Sequence, residues 1–128
     1  DLDKITAGLY PDDLVVVVDD ADLETGRLRV RGKGGSGGHK GLDSIIQNVQ
    51  SDGFARVRVG IGSGGTGERN LVEHVLMPFT RDEKRLIGAA IDAAVDAVIC
   101  VLESGVDEAM NRFNAFCPEV GEGGKDKV

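Results

Sequence analysis

The apolar positions of the chain change period several times, and each change marks an element. Leu14-Val15-Val16-Val17-Val18 is an unbroken apolar run, the pattern of a strand buried on both faces. It passes directly into Asp19-Asp20-Ala21-Asp22, a polar segment at the strand's carboxyl end, where open α/β sheets hold their ligand-handling residues. Arg27-Leu28-Arg29-Val30-Arg31 then alternates strictly, which puts Leu28 and Val30 on one face of a second strand and three arginines on the other. Leu42 to Val49 has helical period, and Arg56-Val57-Arg58-Val59-Gly60-Ile61 alternates again as a third strand. Thr80 followed by Glu83 is a capping box that opens the longest helix. Its apolar face takes in Leu86, Ile87, Ala90, Ile91, Ala94, Val98, Ile99 and Leu102 and ends near Gly105. Val106 to Phe116 predicts a terminal helix. At the front, Leu2, Ile5 and Leu9 predict a helix tail over Asp1–Tyr10 stopped by Pro11, and Asn70–Phe79 is irregular or briefly extended.

Strands alternating with helices predict an α/β protein. A length of 128 residues allows one domain, expected over residues 1–116, with residues 117–128 as a flexible tail. Hydrophobic residues make up 41% and charged residues 29%, a globular composition. No apolar run reaches the roughly 18 residues a membrane helix needs. Cys100 lies in Ala-Val-Ile-Cys-Val-Leu and reads as a small core residue; with Cys117 it is too little for a disulfide framework. The two histidines, His39 and His74, stand too far apart for a metal cluster. Three strands are marginal for this much apolar surface, so the isolated chain is expected to aggregate or to need a further segment.

Charge changes the picture. The formal net charge of −7 opposes binding of nucleic acid, since phosphate contact needs cations. Between Arg27 and Arg58, however, Arg27, Arg29, Arg31, Lys33, Lys40, Arg56 and Arg58 face only Asp43 and Asp52, a local excess of +5. Such asymmetry directs a field rather than attracting in general; its bland counterpart is a solvated surface paired with nearby carboxylates. Within this stretch lies Lys33-Gly34-Gly35-Ser36-Gly37-Gly38-His39-Lys40-Gly41-Leu42. Glycines let backbone approach a ligand closely, and the N–H groups at the helix start that follows can bind an anion. The spacing is neither a Walker phosphate loop nor a dinucleotide fingerprint.

Taken together, Val-Val-Val-Asp-Asp-Ala-Asp-Leu, Gly-Arg-Leu-Arg-Val-Arg, the glycine segment through Leu-Asp-Ser-Ile-Ile, and Arg56-Val57-Arg58-Val59-Gly60-Ile61-Gly62 resemble bacterial-type peptidyl-tRNA hydrolase. Ala109-Met110-Asn111-Arg112-Phe113-Asn114 is similar to that family's terminal helix. The resemblance covers the later two-thirds of the family's domain. It implies a single-domain mixed sheet flanked by helices, incomplete at its amino end, and hydrolysis of the ester joining peptide to tRNA without metal or cofactor. The family's catalytic histidine lies in the front segment this chain does not match. Asp19 matches the aspartate that holds that histidine as a general base.

By the same resemblance, Gly38, His39, Lys40 and Gly41 are expected at the substrate, His39 shaping the loop or touching substrate rather than moving protons. Arg29, Arg31 and Arg58 match cations that grip tRNA phosphates. Lys40 departs from the family's usual Asn and offers donors only; Val18 stands where relatives often have His. His74 reads as a surface residue. The implied partners are peptidyl-tRNA and a preceding segment or separate chain that supplies the missing front. The implied compartment is the cytoplasm for a bacterial chain and a mitochondrion or plastid for a eukaryotic one. The alternative to the enzyme is a non-catalytic RNA-binding relative in a ribosomal or RNA-processing assembly.

Overall fold

The structure, a computed structural model, describes residues 10–62, 79–116 and Pro118. The expected front helix, the Asn70–Phe79 stretch but for Phe79, His74, Cys117 and all of the expected tail but Pro118 fall on residues 1–9, 63–78, 117 and 119–128, which lie outside the described residues.

Pro11–Asp13 forms one turn of 3-10 helix and delivers the chain into β1 (Val15–Asp20). β2 (Leu28–Arg31) follows a tight turn, and the glycine loop leads from it into α1 (Lys40–Val49). β3 (Ala55–Gly60) returns between the other two strands, giving the order β1-β3-β2. It runs parallel to β1 and antiparallel to β2, so the sheet is mixed as expected. α2 (Arg81–Ser104) opens on the anticipated capping box: Glu83 N–H donates to Thr80 Oγ1 at 3.1 Å, and Thr80 N–H to Glu83 Oε1 at 2.9 Å. Gly105, at φ 95°, ends α2 and starts α3 (Val106–Phe113).

Residues directly opposite in a sheet point to the same face, so the register separates the two faces cleanly. Leu28 and Val30 of β2 and Val57 and Val59 of β3 are buried against Ala90, Ala93, Ala94, Ala97 and Cys100 of α2 and Ala109 of α3. The alanine stripe lets the α2 backbone come close to the sheet, and Cys100 is the small core residue its context predicted. Asn114 closes the free edge of β2: its Oδ1 accepts from Val30 N–H at 2.6 Å while its Nδ2 donates to Val30 O at 3.2 Å. One amide side chain thus stands in for a neighbouring strand.

Four expectations need correction. β1 is not buried on both faces; Val17 is 50% exposed, because among the described residues β1 pairs only with β3 and forms the sheet edge. The strand also continues through Asp20, so Asp19 and Asp20 belong to it rather than to the loop beyond. In α2 the expected Leu86, Ala90 and Ala94 are buried, joined by Ala93, Ala97 and Cys100, while Ile91, Ile99 and Leu102 are 53%, 46% and 70% exposed: beyond Leu86, the side that meets the sheet is made of small residues. Finally, the terminal helix stops at Phe113, three residues early, where the chain turns so that Asn114 can reach Val30.

Candidate functional site

Asp19 and Asp20 are consecutive in β1, so their side chains leave opposite faces. Asp20 lies on the arginine face. Its Oδ1 accepts from Asp22 N–H at 2.9 Å, which turns the chain toward β2, and its Oδ2 pairs with Arg58 Nη1 at 3.5 Å. Asp19 meets His39 instead, with Nε2 to Oδ1 at 2.7 Å. Residues twenty positions apart are thereby joined at the carboxyl end of the strand, in the place the sequence indicated.

His39 does two things at once. It is the N-cap of α1, where its Nδ1 accepts from Leu42 N–H at 3.1 Å. An imidazole nitrogen that accepts a hydrogen bond carries a lone pair, so the proton of the neutral ring sits on Nε2 and is donated to Asp19. Neither nitrogen is left to take a proton from water. Gly41 leaves room for the ring, since a Cβ there would lie 3.1 Å from His39 Cε1. Gly38, at φ 87°, supplies the left-handed turn that brings the loop onto the helix start. Among the described residues Asp19 Oδ2 has no protein partner, and the side chain is half exposed at 51%. Lys40, the first residue of α1, is exposed and points no bond at this pair.

The opposite face carries the charge. The antiparallel register sets Arg29 against Arg58 and Arg31 against Arg56, two like-charged pairs that repel. Together with Lys33 and Asp20 they line a cavity of about 280 Å³ beside Gly34 and Gly35. Asp20 offsets one of these charges through Arg58; among the described residues no carboxylate pairs with Arg29 or Arg31. Of the three expected cations, Arg58 is thus paired with a carboxylate and Arg29 and Arg31 are not, among the described residues. Such a face suits an anion with several oxygens, because guanidinium forks match phosphate. Among the described residues no cluster of His, Cys, Asp or Glu is placed to hold a metal ion.

Two residues of the site escaped the sequence reading. Arg56 shares the alternation of Arg58 and so belongs to the same face, a signal that was available. Asp20 was hidden by its neighbours in an acidic run, and only the register decides which of those carboxylates meets an arginine.

These features define an α/β protein with a mixed sheet, in which a histidine-clamped aspartate lies at one strand end and a cationic face lies beside a glycine loop. Comparison with known proteins gives the family. Residues 4–120 match the peptidyl-tRNA hydrolase family, and the chain belongs to it. It is 48% identical over 103 residues to the peptidyl-tRNA hydrolase of Caldanaerobacter subterraneus subsp. tengcongensis, covering 80% of this chain and 55% of that protein. The enzyme of Clostridium botulinum is 44% identical over 109 residues, covering 85% and 56%. The crystal structure of peptidyl-tRNA hydrolase from Acinetobacter baumannii superposes with a TM-score of 0.77 at 34% identity, covering 91% of this chain and 58% of that one. The chain therefore spans a little over half the length of the relatives it matches.

Proposed function

We propose that this chain forms the later part of an enzyme that hydrolyses the ester bond between peptide and tRNA in peptidyl-tRNA. The observation that carries the reading is the Asp19–His39 pair at 2.7 Å, with Asp19 Oδ2 open to one further donor. An imidazole N–H seated on Oδ2 would be fixed in orientation and tautomer, leaving its other nitrogen to accept the proton of an attacking water. His39 cannot be that imidazole, because both of its nitrogens are engaged; its role is to hold Asp19. Arg29, Arg31 and Arg58 grip tRNA phosphates, contacts that position the substrate without reading its sequence. Lys40 donates but cannot accept, so it can orient a peptide carbonyl and cannot relay a proton from water.

The general-base imidazole comes from the front segment of the family's domain, which this chain does not match. The edge of β1 that is unpaired among the described residues and the apolar groove of Val17, Ile91, Val95, Val98 and Ile99, about 280 Å³ in volume, offer a strand-pairing edge and an apolar seat for it. A strand edge beside exposed aliphatic side chains is suited to pairing with a further strand.

The test mixes the chain with the separately produced front part of a full-length relative and follows ester cleavage of N-acetyl-aminoacyl-tRNA. Cleavage is expected from the mixture and not from either part. Asp19→Asn is expected to lower kcat by about 100-fold or more, the usual worth of an oriented general base, with tRNA affinity kept. Retained tRNA binding without turnover in the wild-type mixture would leave an RNA-binding module in place of the enzyme.

A further inference from the structure

Arg56 has the largest fully buried side chain among the described residues and is 1% exposed. Among those residues no carboxylate pairs with it. Its guanidinium is satisfied by backbone carbonyls: Nε donates to Phe54 O at 3.2 Å, Nη1 to Gly35 O at 3.2 Å and Nη2 to Asp52 O at 2.8 Å. Its Cζ lies over the Phe54 ring, 4.5 Å from the ring centroid. Burial, with repulsion from Arg58 added, holds its pKa below the ordinary arginine value, and Asp52 opposes the shift. A cation taken from water and given neutral acceptors is costly, and an apolar side chain of similar volume often serves stability as well or better. What an arginine adds here is direction.

That direction leads to the site. Gly35 O, held by Arg56, also accepts from Arg58 Nη2 at 3.4 Å, and so does Ser36 O at 3.4 Å. Asp52 O receives Gly34 N–H at 3.1 Å as well as Arg56. Ser36 in turn organises the helix start: His39 N–H donates to Ser36 O at 3.1 Å and Gly38 N–H to Ser36 Oγ at 3.2 Å. His39 then reaches Asp19. A continuous set of bonds thus runs from a buried cation, through a loop whose glycines have little packing of their own, to the aspartate.

We propose that Arg56 is a positioning residue that holds the glycine loop and so places His39 on Asp19 and aims Arg58 into the cationic cavity. Its functional consequence rests on the tRNA-binding reading above; its hold on the loop does not. Although Arg56 lies in the wall of the cavity, at 1% exposure it offers almost no surface to a phosphate, and its guanidinium is spent on the loop carbonyls.

Arg56→Met, Arg56→Lys and Arg31→Ala in the full chain test this. Amide hydrogen exchange of Gly34, Gly38 and His39 is compared with that of Val57 and Val59, and deacylated tRNA binding is measured across salt concentrations. In Arg56→Met the loop amides are expected to exchange about tenfold faster with the strand amides unchanged, and tRNA to bind about tenfold more weakly, the loss of about one net hydrogen bond. The slope of log K against log salt should stay as in the parent, whereas Arg31→Ala lowers it by about one. Arg56→Lys, which keeps the charge and loses the fork, should fall between parent and Met. A slope that falls in Arg56→Met would make it a phosphate contact and overturn the proposal. Unchanged loop exchange would also overturn it; should the Met variant fail to fold, unchanged exchange and affinity in the Lys variant would do so. Faster loop exchange with tRNA binding unchanged in all three variants would sustain the hold on the loop and remove the tRNA reading.

Discussion

Gly60 and Gly35 look alike in the sequence and differ completely in what surrounds them. A Cβ at Gly60 would overlap the carbonyls of Leu23 and Glu24. That turn cannot retreat, because Gly26 N–H donates to Gly60 O at 2.9 Å and Gly60 N–H to Arg27 O at 2.7 Å. At Gly35 nothing lies within 4 Å of the added atom. Gly60→Ala is therefore expected to destabilise the chain by roughly 3 kcal/mol through overpacking against backbone, and Gly35→Ala by about 0.5 kcal/mol or less. Urea midpoints of the two variants check this, and equal losses would contradict it. The same contrast holds among the arginines: Arg56 and Arg58 sit two positions apart on one strand face, yet one is enclosed by carbonyls and the other pairs with Asp20.

At the scale of elements, local signals placed the helix starts well. Thr80 with Glu83 specified the first turn of α2 because both partners of a capping box lie within four residues. The third strand and the α1 segment were legible for the same reason, through short-range alternation and period. The buried face of α2 was legible only in part: Leu86, Ala90 and Ala94 are buried as expected, but Ile91 and Ile99 are more apolar than Ala93 and Ala97, yet the alanines are the buried ones. Asn114 is likewise silent in sequence, since its partner Val30 lies 84 residues away. Asn114→Ala would leave the Val30 N–H and C=O without partners at the edge of β2, a loss of about 2 kcal/mol. Thr80→Ala, an exposed cap, should cost about 1 kcal/mol. Denaturant melts at unchanged m-value would check the order, and a larger effect at Thr80 would count against Asn114 as the closing group of the sheet.

For the whole molecule, the outstanding feature is the apolar strip of Val17, Ile91, Val95 and Ile99, each about half exposed and next to the edge of β1 that is unpaired among the described residues. Concentration-dependent association of the isolated chain is expected, because such a patch beside an unpaired edge favours contact with any apolar surface. Val95→Lys with Ile99→Lys should shift light-scattering mass toward the monomer, and should also weaken activation by the front segment in the mixing experiment. A parent chain that stays monomeric at high concentration would remove the argument for an unfilled seat.

The sequence by itself determined the α/β class, the strands and helix starts, the cationic middle, and the aspartate and glycine loop that mark the family. These are short-range properties, written in alternation, capping and turn chemistry, or in motifs contiguous along the chain. Only the tertiary structure decided that His39 clamps Asp19, that four arginines face one another in two opposed pairs, that Arg56 is sealed beneath the loop, and that β1 lies at an edge. Each of these depends on strand order and register, which bring together residues 20 to 84 positions apart, and nothing local to either partner records the other.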